Sequence, residues 1–347
     1  MTIKDIARES GYSVGTVSRV LNDAGSVSEK ARKAVMEIVD KHHFRLNNNA
    51  KMLKQQSPQG IAIIIKGANN MLFQPLVESI QVLIAKKGYA SLMFYISEDD
   101  NEVEYAYRIT QERRPLGIVF LGSNRSYFRE RFHLIKIPCI LVTNSAEELG
   151  MPNLSSVSTD DKAAAKKAVD RLFELGHEHI GVLAGKMERS YTAYNRYIGV
   201  KESFEERGIV FDEDKQLVSS YFSISAGYEA MEKLLDKMPE VTAVFAMADV
   251  MAIGAIRAIH DRGLKVPEDI SVIGFDGIDV GRYMVPKLTT IRQRREVIAA
   301  RSVEILLGCI EDSKQAAVYE VESFHLVPGE SACARNIHNV GRDYYQS

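Results

Sequence analysis

Cysteine and long hydrophobic runs are both scarce in this sequence of 347 residues. Its three cysteines, Cys139, Cys309 and Cys333, are far apart and lack the spacing of a zinc site or a disulfide framework, as in proteins of a reducing cytoplasm. No apolar stretch approaches the roughly 20 residues that span a bilayer, and the run at 61–65 ends at Lys66. The N-terminus lacks the apolar region of a signal peptide. We therefore expect a soluble cytoplasmic protein without a metal, a cofactor or a membrane partner.

Glycine loops that bind phosphate are also missing. No G-x-x-x-x-G-K-[ST] pattern occurs, because residues 181–186 are one residue short of it and lack its hydroxyl residue. No G-x-G-x-x-G follows the first predicted strand. His177 follows a glycine that ends a predicted helix, where a histidine satisfies terminal carbonyls, and no nucleophile is apparent beside it. These absences weigh against an α/β enzyme, and the sequence predicts no catalytic residue.

The net charge of −2 conceals an uneven distribution. Residues 1–57 contain ten Lys or Arg and six Asp or Glu, which gives +4 and leaves −6 for the remainder. A basic head on an acidic body is typical of a module that binds a polyanion and is fused to a different kind of domain. The length suits two or three domains, and a hydrophobic content of 46% permits buried cores.

Two short amphipathic helices are predicted at the N-terminus, one on each side of Gly11. Each has a single apolar stripe with i, i+3, i+4 spacing. The stripes are Ile3, Ile6 and Ala7 in the first helix and Val17, Val20 and Leu21 in the second. Gly11 supplies a turn conformation that residues with a Cβ avoid, and Ser13 stands at the N-cap position. The pattern predicts a helical pair whose stripes pack together.

The outward face of the second helix is the candidate nucleic-acid contact. It consists of Val14, Gly15, Thr16, Ser18 and Arg19, and it is slim enough to enter the major groove of DNA. We expect Arg19 to contact a guanine or a phosphate and Val14 a thymine methyl, while Ser13, Thr16 and Ser18 position the DNA backbone. An ordinary helical hairpin has the same pattern, so spacing alone leaves that alternative open.

Alternating strands and helices follow a third predicted helix, which runs from about residue 28 to 41 with Val35, Ile38 and Val39 on its core face. The predicted strands are 60–65, 90–96, 117–122, 138–143, 179–185, 216–222, 243–247 and 271–276. The predicted helices between them are 73–87, 101–113, 125–134, 161–175 and 195–207. This rhythm predicts two doubly wound α/β lobes, with a ligand cleft at the carboxyl ends of their strands.

The N-terminal spacing closely resembles the LacI/GalR family of bacterial transcriptional regulators. The matching residues are Thr2, Asp5, Ala7, Gly11, Ser13, the run 16–20 and Asn22, and the resemblance continues at 160–161, 175–177, 180–185, 249–254, 271–276 and 288–291. It implies a helix-turn-helix three-helix head, a hinge helix and two doubly wound parallel α/β lobes of periplasmic-binding-protein type. The implied boundaries are 1–46 for the head, 47–57 for the hinge and 58–340 for the lobes. The first lobe would comprise 58–159 and 292–323, and the second 160–290 and 324–340.

The implied hinge segment carries Asn47, Ala50 and Leu53 at the family's positions. Residues 47–54 are well below the length at which isolated helices are stable, and consecutive asparagines disfavour helix interiors. We therefore expect the segment to become helical on operator DNA, with Leu53 wedged into a minor-groove base step. Most family members have Pro where this chain has Leu46, and a solvated tether is the alternative interpretation. Together with Thr2, Asn22 and the second-helix face, these three residues complete the implied DNA contacts.

The resemblance also implies the effector contacts. They are Phe73, Arg196, Phe222, Asp249, Asp276 and Gln293. Aromatic rings suit the apolar faces of a sugar, and a carboxylate suits its paired hydroxyls. Four cations, Lys66, Lys186, Arg189 and Arg196, would instead suit a sugar phosphate or another anion, although we expect the first three to be solvated. The family often has Asn-Asp where this chain has Ala248-Asp249, which removes one amide.

The sequence therefore predicts a DNA-binding transcriptional repressor whose operator affinity is controlled by a small molecule, most simply a sugar. One head reads one half-site, so a pseudo-palindromic operator requires a homodimer. The C-terminal tail has no leucine heptad, which argues against a tetramer. The alternatives are a regulator that takes a sugar phosphate or a purine as corepressor, and a sugar-binding receptor. A transport receptor of this kind needs an export signal and no DNA head.

Overall fold

The computed structural model describes residues 3–21, 27–42, 60–67, 70–312 and 314–335. The chain divides into two compact units, Met1–Pro58 and Gln59–Ser347. Five sequence-predicted DNA contacts lie outside the described residues, namely Thr2, Asn22, Asn47, Ala50 and Leu53. No helix within the described ranges is long and apolar enough to cross a membrane.

Three helices form the described part of the first unit. They are α1 (Ile3–Ser10), α2 (Val14–Leu21) and α3 (Glu29–Lys41). Their buried core consists of Ile6, Ala7, Val17, Val20, Val35 and Val39, while the side chain of Ile3 lies outside the described part. Gly11 has φ +74°, and Ser28 Oγ caps α3 by accepting from Ala31 N. The predicted helices are confirmed, and so are their packing stripes apart from Ile3.

The second unit is built on two six-stranded sheets. The first sheet contains β1 (Gly60–Lys66), β2 (Ala90–Ile96), β3 (Gly117–Leu121), β4 (Cys139–Val142), β5 (Leu154–Thr159) and β11 (Tyr319–Glu322). The second contains β6 (Ile180–Gly185), β7 (Leu217–Ser220), β8 (Ala243–Ala246), β9 (Ser271–Asp276), β10 (Thr289–Gln293) and β12 (Phe324–Val327). Their orders are β11-β5-β4-β3-β1-β2 and β12-β10-β9-β8-β6-β7. The pairs are parallel except β10 with β12, which is antiparallel and departs from the expected all-parallel sheet.

Helices cover both sheets and define two lobes. The first lobe has α4 (Phe73–Lys86), α5 (Glu102–Glu112), α6 (Arg125–Arg131) and α12 (Arg295–Glu311). The second lobe has α7 (Asp161–Glu174), α8 (Tyr191–Glu205), the short α9 (Glu213–Gln216), α10 (Ile224–Lys237) and α11 (Asp249–Asp261). α8 begins four residues before the predicted start at 195, because Ser190 Oγ caps it by accepting from Ala193 N.

The chain passes between the lobes three times. It leaves the first sheet after β5, returns after β10, and crosses again between β11 and β12. The first two crossings are tied together, since Thr159 Oγ1 donates to Gln293 Oε1 at 2.9 Å. Both side chains are buried. This bond places the two crossover strands side by side at the base of the interlobe space.

Glycines set the helix spacing in the second lobe. α10 crosses α11 where Gly227 faces the backbone of Met251 and Gly254 faces the backbone of Ile224. A Cβ at either glycine would overlap a backbone atom of the other helix. The two helices can therefore approach more closely than larger side chains would permit. The start of α11 consequently packs against β8 and β9.

Candidate functional site

The predicted DNA-reading helix is α2. Its N-terminus is capped by Ser13, whose Oγ accepts from Thr16 N at 3.1 Å and lies 2.9 Å from Thr16 Oγ1. Val17 and Val20 are buried against the neighbouring helices. Packing therefore fixes which side of α2 is available to a partner.

The available side carries the residues that the sequence assigns to DNA. Val14 is 46% exposed, Gly15 and Arg19 are exposed, and Thr16 and Ser18 are half-buried. Arg19 Nε donates to Gly15 O at 3.3 Å, which orients the side chain along the helix surface while the residue stays exposed. The face is thus apolar at one end and cationic at the other, as base-edge and phosphate contacts require. Its contacts with DNA stay a prediction.

A cavity of about 110 Å³ lies between the two lobes of the second unit. Ten residues of each lobe line it. Those of the first lobe are Lys66, Gly67, Asn70, Leu72, Phe73, Glu98, Gly122, Ser123, Thr143 and Asn144; those of the second are Lys186, Arg189, Ser190, Thr192, Arg196, Ser220, Tyr221, Phe222, Asp276 and Gln293. Most lie at or just beyond the carboxyl ends of parallel strands, where ligands bind in folds of this type.

One phenylalanine from each lobe forms an apolar wall of the cavity. Phe73 begins α4 and packs over Gly122, which follows β3, and Phe222 packs over Gly185, the last residue of β6. A Cβ at Gly185 would overlap the ring of Phe222. The two glycines therefore make room for rings that face the interlobe space from opposite sheets.

Arg196 organises the floor of the cavity. Its Nε donates to Asp161 Oδ1 at 2.8 Å, its Nη1 donates to Met247 O, and its Nη2 lies 3.6 Å from Asp276 Oδ1. The guanidinium carbon also lies 3.6 Å from the centroid of the Phe275 ring. Burial raises the pKa of Asp161 to about 6, although Arg196 opposes that shift. Arg196 is thus held rigidly, with one edge directed at Asp276.

Asp276 ends β9 in a conformation that only a few residues adopt. Its φ is +116°, and in the described ranges only Arg114 and Thr143 are other non-glycine residues with positive φ. Gln293 Nε2 donates to its Oδ1 at 2.8 Å, and no described group donates to its Oδ2. Burial raises its pKa to about 6, while Arg196 acts in the opposite direction. A strained, buried carboxylate with one oxygen unused is an acceptor prepared for a ligand donor.

Asp249 does not line the cavity, in contrast to the sequence-based assignment. Its Oδ1 accepts from Thr290 Oγ1 at 2.6 Å and its Oδ2 accepts from Ile278 N at 2.8 Å. The residue is fully buried, and burial together with nearby Asp276 raises its pKa well above the usual range. Asp249 therefore joins α11 to the ends of β9 and β10, behind the cavity wall. The other five predicted effector residues all line the cavity.

Three of the four cations around the cavity are paired with carboxylates, and the fourth lies against an aromatic ring. Lys66 Nζ lies 2.7 Å from Glu102 Oε2, and both side chains are buried, so the expectation that Lys66 is solvated is wrong. It is buried because it extends from the end of β1 towards a carboxylate at the start of α5. Arg189 is ion-paired with Asp99 of the other lobe, and both are more than half exposed. Lys186 Nζ lies 3.6 Å from the centroid of the Tyr221 ring.

The sequence-based reasoning missed the polar wall of the first lobe. Ser123 Oγ and Asn144 Oδ1 are buried and have no hydrogen-bond partner in the described part of the chain, and both residues line the cavity. Thr143, between β4 and Asn144, has φ +71°. The available signal was positional, because these residues directly follow β3 and β4. Buried polar atoms without partners are rare in proteins and indicate a place where a ligand or water completes the bonding.

His177 has a structural role. Its Nδ1 lies 3.1 Å from Thr242 Oγ1 and its Nε2 lies 3.1 Å from Cys333 O, so both ring nitrogens have partners. The backbone N–H of His177 donates to Leu172 O at the end of α7. The imidazole therefore ties the segment after β12 to the residue before β8, whereas the sequence suggested helix carbonyls as its partners. No group of three metal-ligating side chains converges within the described ranges.

Two family models match the two units. Residues 2–47 match the model described as bacterial regulatory proteins, lacI family, and residues 169–332 match that of a periplasmic binding protein-like domain. The HTH-type transcriptional regulator MalR of Clostridium butyricum is 36% identical over 316 residues, which cover 89% of this chain and 93% of the relative. The HTH-type transcriptional repressor PurR of Pasteurella multocida is 30% identical over 325 residues, or 92% of this chain and 95% of the relative.

The solved structures agree with these matches. The transcriptional regulator CelR–cellobiose complex has a TM-score of 0.71 and 25% identity to this chain, and the match covers 96% of this chain and 100% of that one. The relatives are named as transcriptional regulators and repressors. An exposed recognition helix and an interlobe cavity are the two parts that such a regulator needs. The chain belongs to the LacI family of bacterial transcriptional regulators, DNA-binding proteins whose activity a small molecule controls.

Proposed function

We propose that this regulator is a repressor that binds a neutral sugar between its two lobes, and that binding changes its affinity for a pseudo-palindromic operator. Residues 1–46 would read DNA, 47–57 would form the hinge, and 58–340 would bind the effector and form the homodimer. The protein would act in the cytoplasm, where its operator is. We assign no catalytic residue. The observation that carries the choice of ligand is that three of the four cations lining the cavity are already paired with carboxylates of the protein.

The cavity does not favour an anionic ligand. Four cations, Lys66, Lys186, Arg189 and Arg196, line the cavity together with two carboxylates, Glu98 and Asp276. Three further carboxylates just outside the lining, Glu102, Asp99 and Asp161, are ion-paired with Lys66, Arg189 and Arg196 respectively. A phosphate needs cations whose donors are available, as in charge-assisted pairs. Here the donors of Lys66, Arg189 and Arg196 are directed at carboxylates of the protein itself. A sugar phosphate would have to break these pairs and would meet Asp276.

The remaining chemistry of the cavity suits a polyol. Phe73 and Phe222 supply apolar surfaces for the faces of a sugar ring. Asp276 Oδ2 can accept from a hydroxyl, and Asn144 Oδ1 can accept another on the opposite wall. Since hydroxyl groups both donate and accept, one sugar could also satisfy Ser123 Oγ. The CelR relative was solved with cellobiose, which is a neutral sugar of this chemistry.

A thermal-shift and DNA-binding experiment tests the proposal. The full-length protein is heated with glucose, ribose, cellobiose, glucose 6-phosphate or hypoxanthine at a concentration of 5 mM. We expect a neutral sugar to raise the melting temperature by several degrees, because a ligand that binds only the folded state stabilises it. The stabilising sugar should then change the affinity for promoter DNA measured by fluorescence anisotropy. Stabilisation by the phosphate or the purine alone would contradict the proposed ligand class.

We expect Gly185→Ala to weaken sugar binding about tenfold. The added Cβ would overlap the Phe222 ring, so the ring must leave its position against the cavity. Loss of an aromatic contact of this kind is worth about 1 kcal/mol or slightly more, which corresponds to the expected factor. The dissociation constant is measured by isothermal titration calorimetry.

Gly181→Ala, on the same strand, is the matched control. A Cβ there meets Leu234, a buried core side chain away from the cavity, so we expect a lower melting temperature and an unchanged dissociation constant. Equal sugar affinity in Gly185→Ala and the unmodified protein would show that the Phe222 ring does not contact the ligand.

A further inference from the structure

An aromatic stack joins the two lobes beside the cavity. The guanidinium carbon of Arg125, in α6 of the first lobe, lies 3.7 Å from the ring centroid of Tyr191, in α8 of the second. Arg125 follows the cavity residue Ser123 by two positions, and Tyr191 lies between the cavity residues Ser190 and Thr192. The stack therefore connects segments of opposite walls, while neither partner lines the cavity itself.

The burial of Arg125 makes this contact dependent on the lobes being together. The residue is 7% exposed; its Nη2 bonds Glu148 Oε2 at 3.0 Å, but Nε and Nη1 have no partner in the described part of the chain. Two buried charged donors without acceptors are costly. A stack on a desolvated ring offsets part of that cost. Separation of the lobes would hydrate the guanidinium and end the stack.

The ion pair between Asp99 and Arg189, which also joins the two lobes beside the cavity, has less influence. Asp99 and Arg189 are 61% and 53% exposed. Exposed pairs of this kind contribute little to stability and are screened by salt. Of these two contacts beside the cavity, the Arg125–Tyr191 stack is the one whose removal should shift the balance more, whereas the Thr159–Gln293 bond and the Arg295–Asp279 ion pair lie at the crossovers.

We propose that Arg125 and Tyr191 are positioning residues for the effector site. Their stack forms when the lobes approach and increases the fraction of molecules whose two cavity walls can contact one ligand together. Apparent affinity is the intrinsic affinity multiplied by that fraction. The stack thus sets the effector concentration to which the regulator responds. This inference rests on the proposed function, since it assumes that the cavity binds a sugar.

Two substitutions of Tyr191 distinguish the contribution of its ring from that of its hydroxyl group. Tyr191→Ala removes the stack, and we expect the dissociation constant of the sugar that gave the largest thermal shift to rise about tenfold, as for a desolvated cation–π contact. Tyr191→Phe keeps the ring, so its dissociation constant should stay within twofold of the original. Small-angle scattering without sugar should give a larger radius of gyration for Tyr191→Ala than for Tyr191→Phe.

A double-mutant cycle excludes a merely structural effect. Arg125→Ala and Tyr191→Ala each remove the same stack, so the double variant should lose about as much affinity as either single variant. Independent structural damage would multiply the two losses and lower the melting temperature further. Losses of binding free energy that add in the double variant would overturn the proposal, and so would equal sugar affinity in Tyr191→Ala and Tyr191→Phe. The proposed function would still stand in either case if the unmodified protein binds the sugar.

If no sugar binds the folded, unmodified protein, the proposed ligand is wrong. The scattering comparison of the two Tyr191 variants still tests whether the stack holds the lobes together. Equal radii of gyration for the two Tyr191 variants would then refute it. A larger radius for Tyr191→Ala alone would support an interlobe contact that controls closure around a different effector.

Discussion

Asp276→Asn is expected to reduce affinity for the sugar about 100-fold while leaving operator binding measurable. A hydrogen bond to a charged group is worth about 1.5 to 3 kcal/mol. The substitution replaces the charged carboxylate by a neutral amide with one oxygen, so the bond from the ligand to Oδ2 is lost and the one remaining acceptor is weaker. About 3 kcal/mol corresponds to the expected factor. Calorimetric titration gives the dissociation constant.

Asparagine is the informative substitution because it preserves the shape of the site. It has nearly the same size as aspartate and tolerates positive φ better than most residues, which matters at φ +116°. Gln293 can still bond the amide oxygen. Arg196 remains paired with Asp161 at 2.8 Å, so the floor of the cavity keeps its main ion pair. The variant should therefore fold, bind operator and fail to respond to the sugar.

Asp249→Asn is the matched control, and it also tests the sequence-based assignment of Asp249. Both aspartates are buried, but only Asp276 lines the cavity. We expect Asp249→Asn to change the melting temperature and to leave the sugar affinity within about threefold. A large loss of affinity in Asp249→Asn, with normal binding by Asp276→Asn, would reverse the roles that the geometry gives to the two carboxylates.

The hydrophobic pattern of the sequence predicted most of the fold, but it did not reveal strands that are rich in polar residues. β1 is nearly continuous in isoleucine and buried on both faces, as parallel strands require, so its position could be predicted. β5 has the sequence LSSVST and is equally buried, but its four hydroxyl residues give no hydrophobic pattern from which a strand could be predicted. They are satisfied by tertiary contacts: Ser155 Oγ accepts from Val318 N, and Ser156 Oγ accepts from Ala146 N. A single sequence does not reveal such partners.

The candidate site was predictable where one strand end determines it. Asp276 stands at the end of an apolar strand, which places it at the cleft, whereas Phe73 is assigned to the cleft by the resemblance to the LacI/GalR family. The sequence could not show that Asp249 lies outside the cavity lining, because its oxygens accept from Thr290 and Ile278, which are distant in sequence. The burial of Lys66 depends in the same way on Glu102, 36 residues away. Pairing between distant residues decides which polar groups are available to a ligand.

Glu102→Gln is expected to destabilise the protein by about 3 to 5 kcal/mol, the usual cost of breaking a buried ion pair. In the unmodified protein Glu102 Oε1 accepts from Asn124 N at 2.6 Å, and the amide oxygen of glutamine can keep this bond. What is lost is the counter-ion of Lys66, whose side chain is 9% exposed. The ring of Tyr127, with its centroid 4.9 Å from Lys66 Nζ, compensates only in part. The melting temperature in scanning calorimetry should fall by roughly 10 °C.

Two further variants determine whether the unpaired charge is the cause of that loss. Glu104→Gln changes the same helix but breaks only an exposed pair with Arg131 at 3.4 Å, so the melting temperature should change by about 2 °C or less. Lys66→Met combined with Glu102→Gln removes both buried charges and should recover most of the lost stability, since replacing a whole buried pair is often neutral. Should the double variant melt below Glu102→Gln, Lys66 would be stabilised by groups other than Glu102.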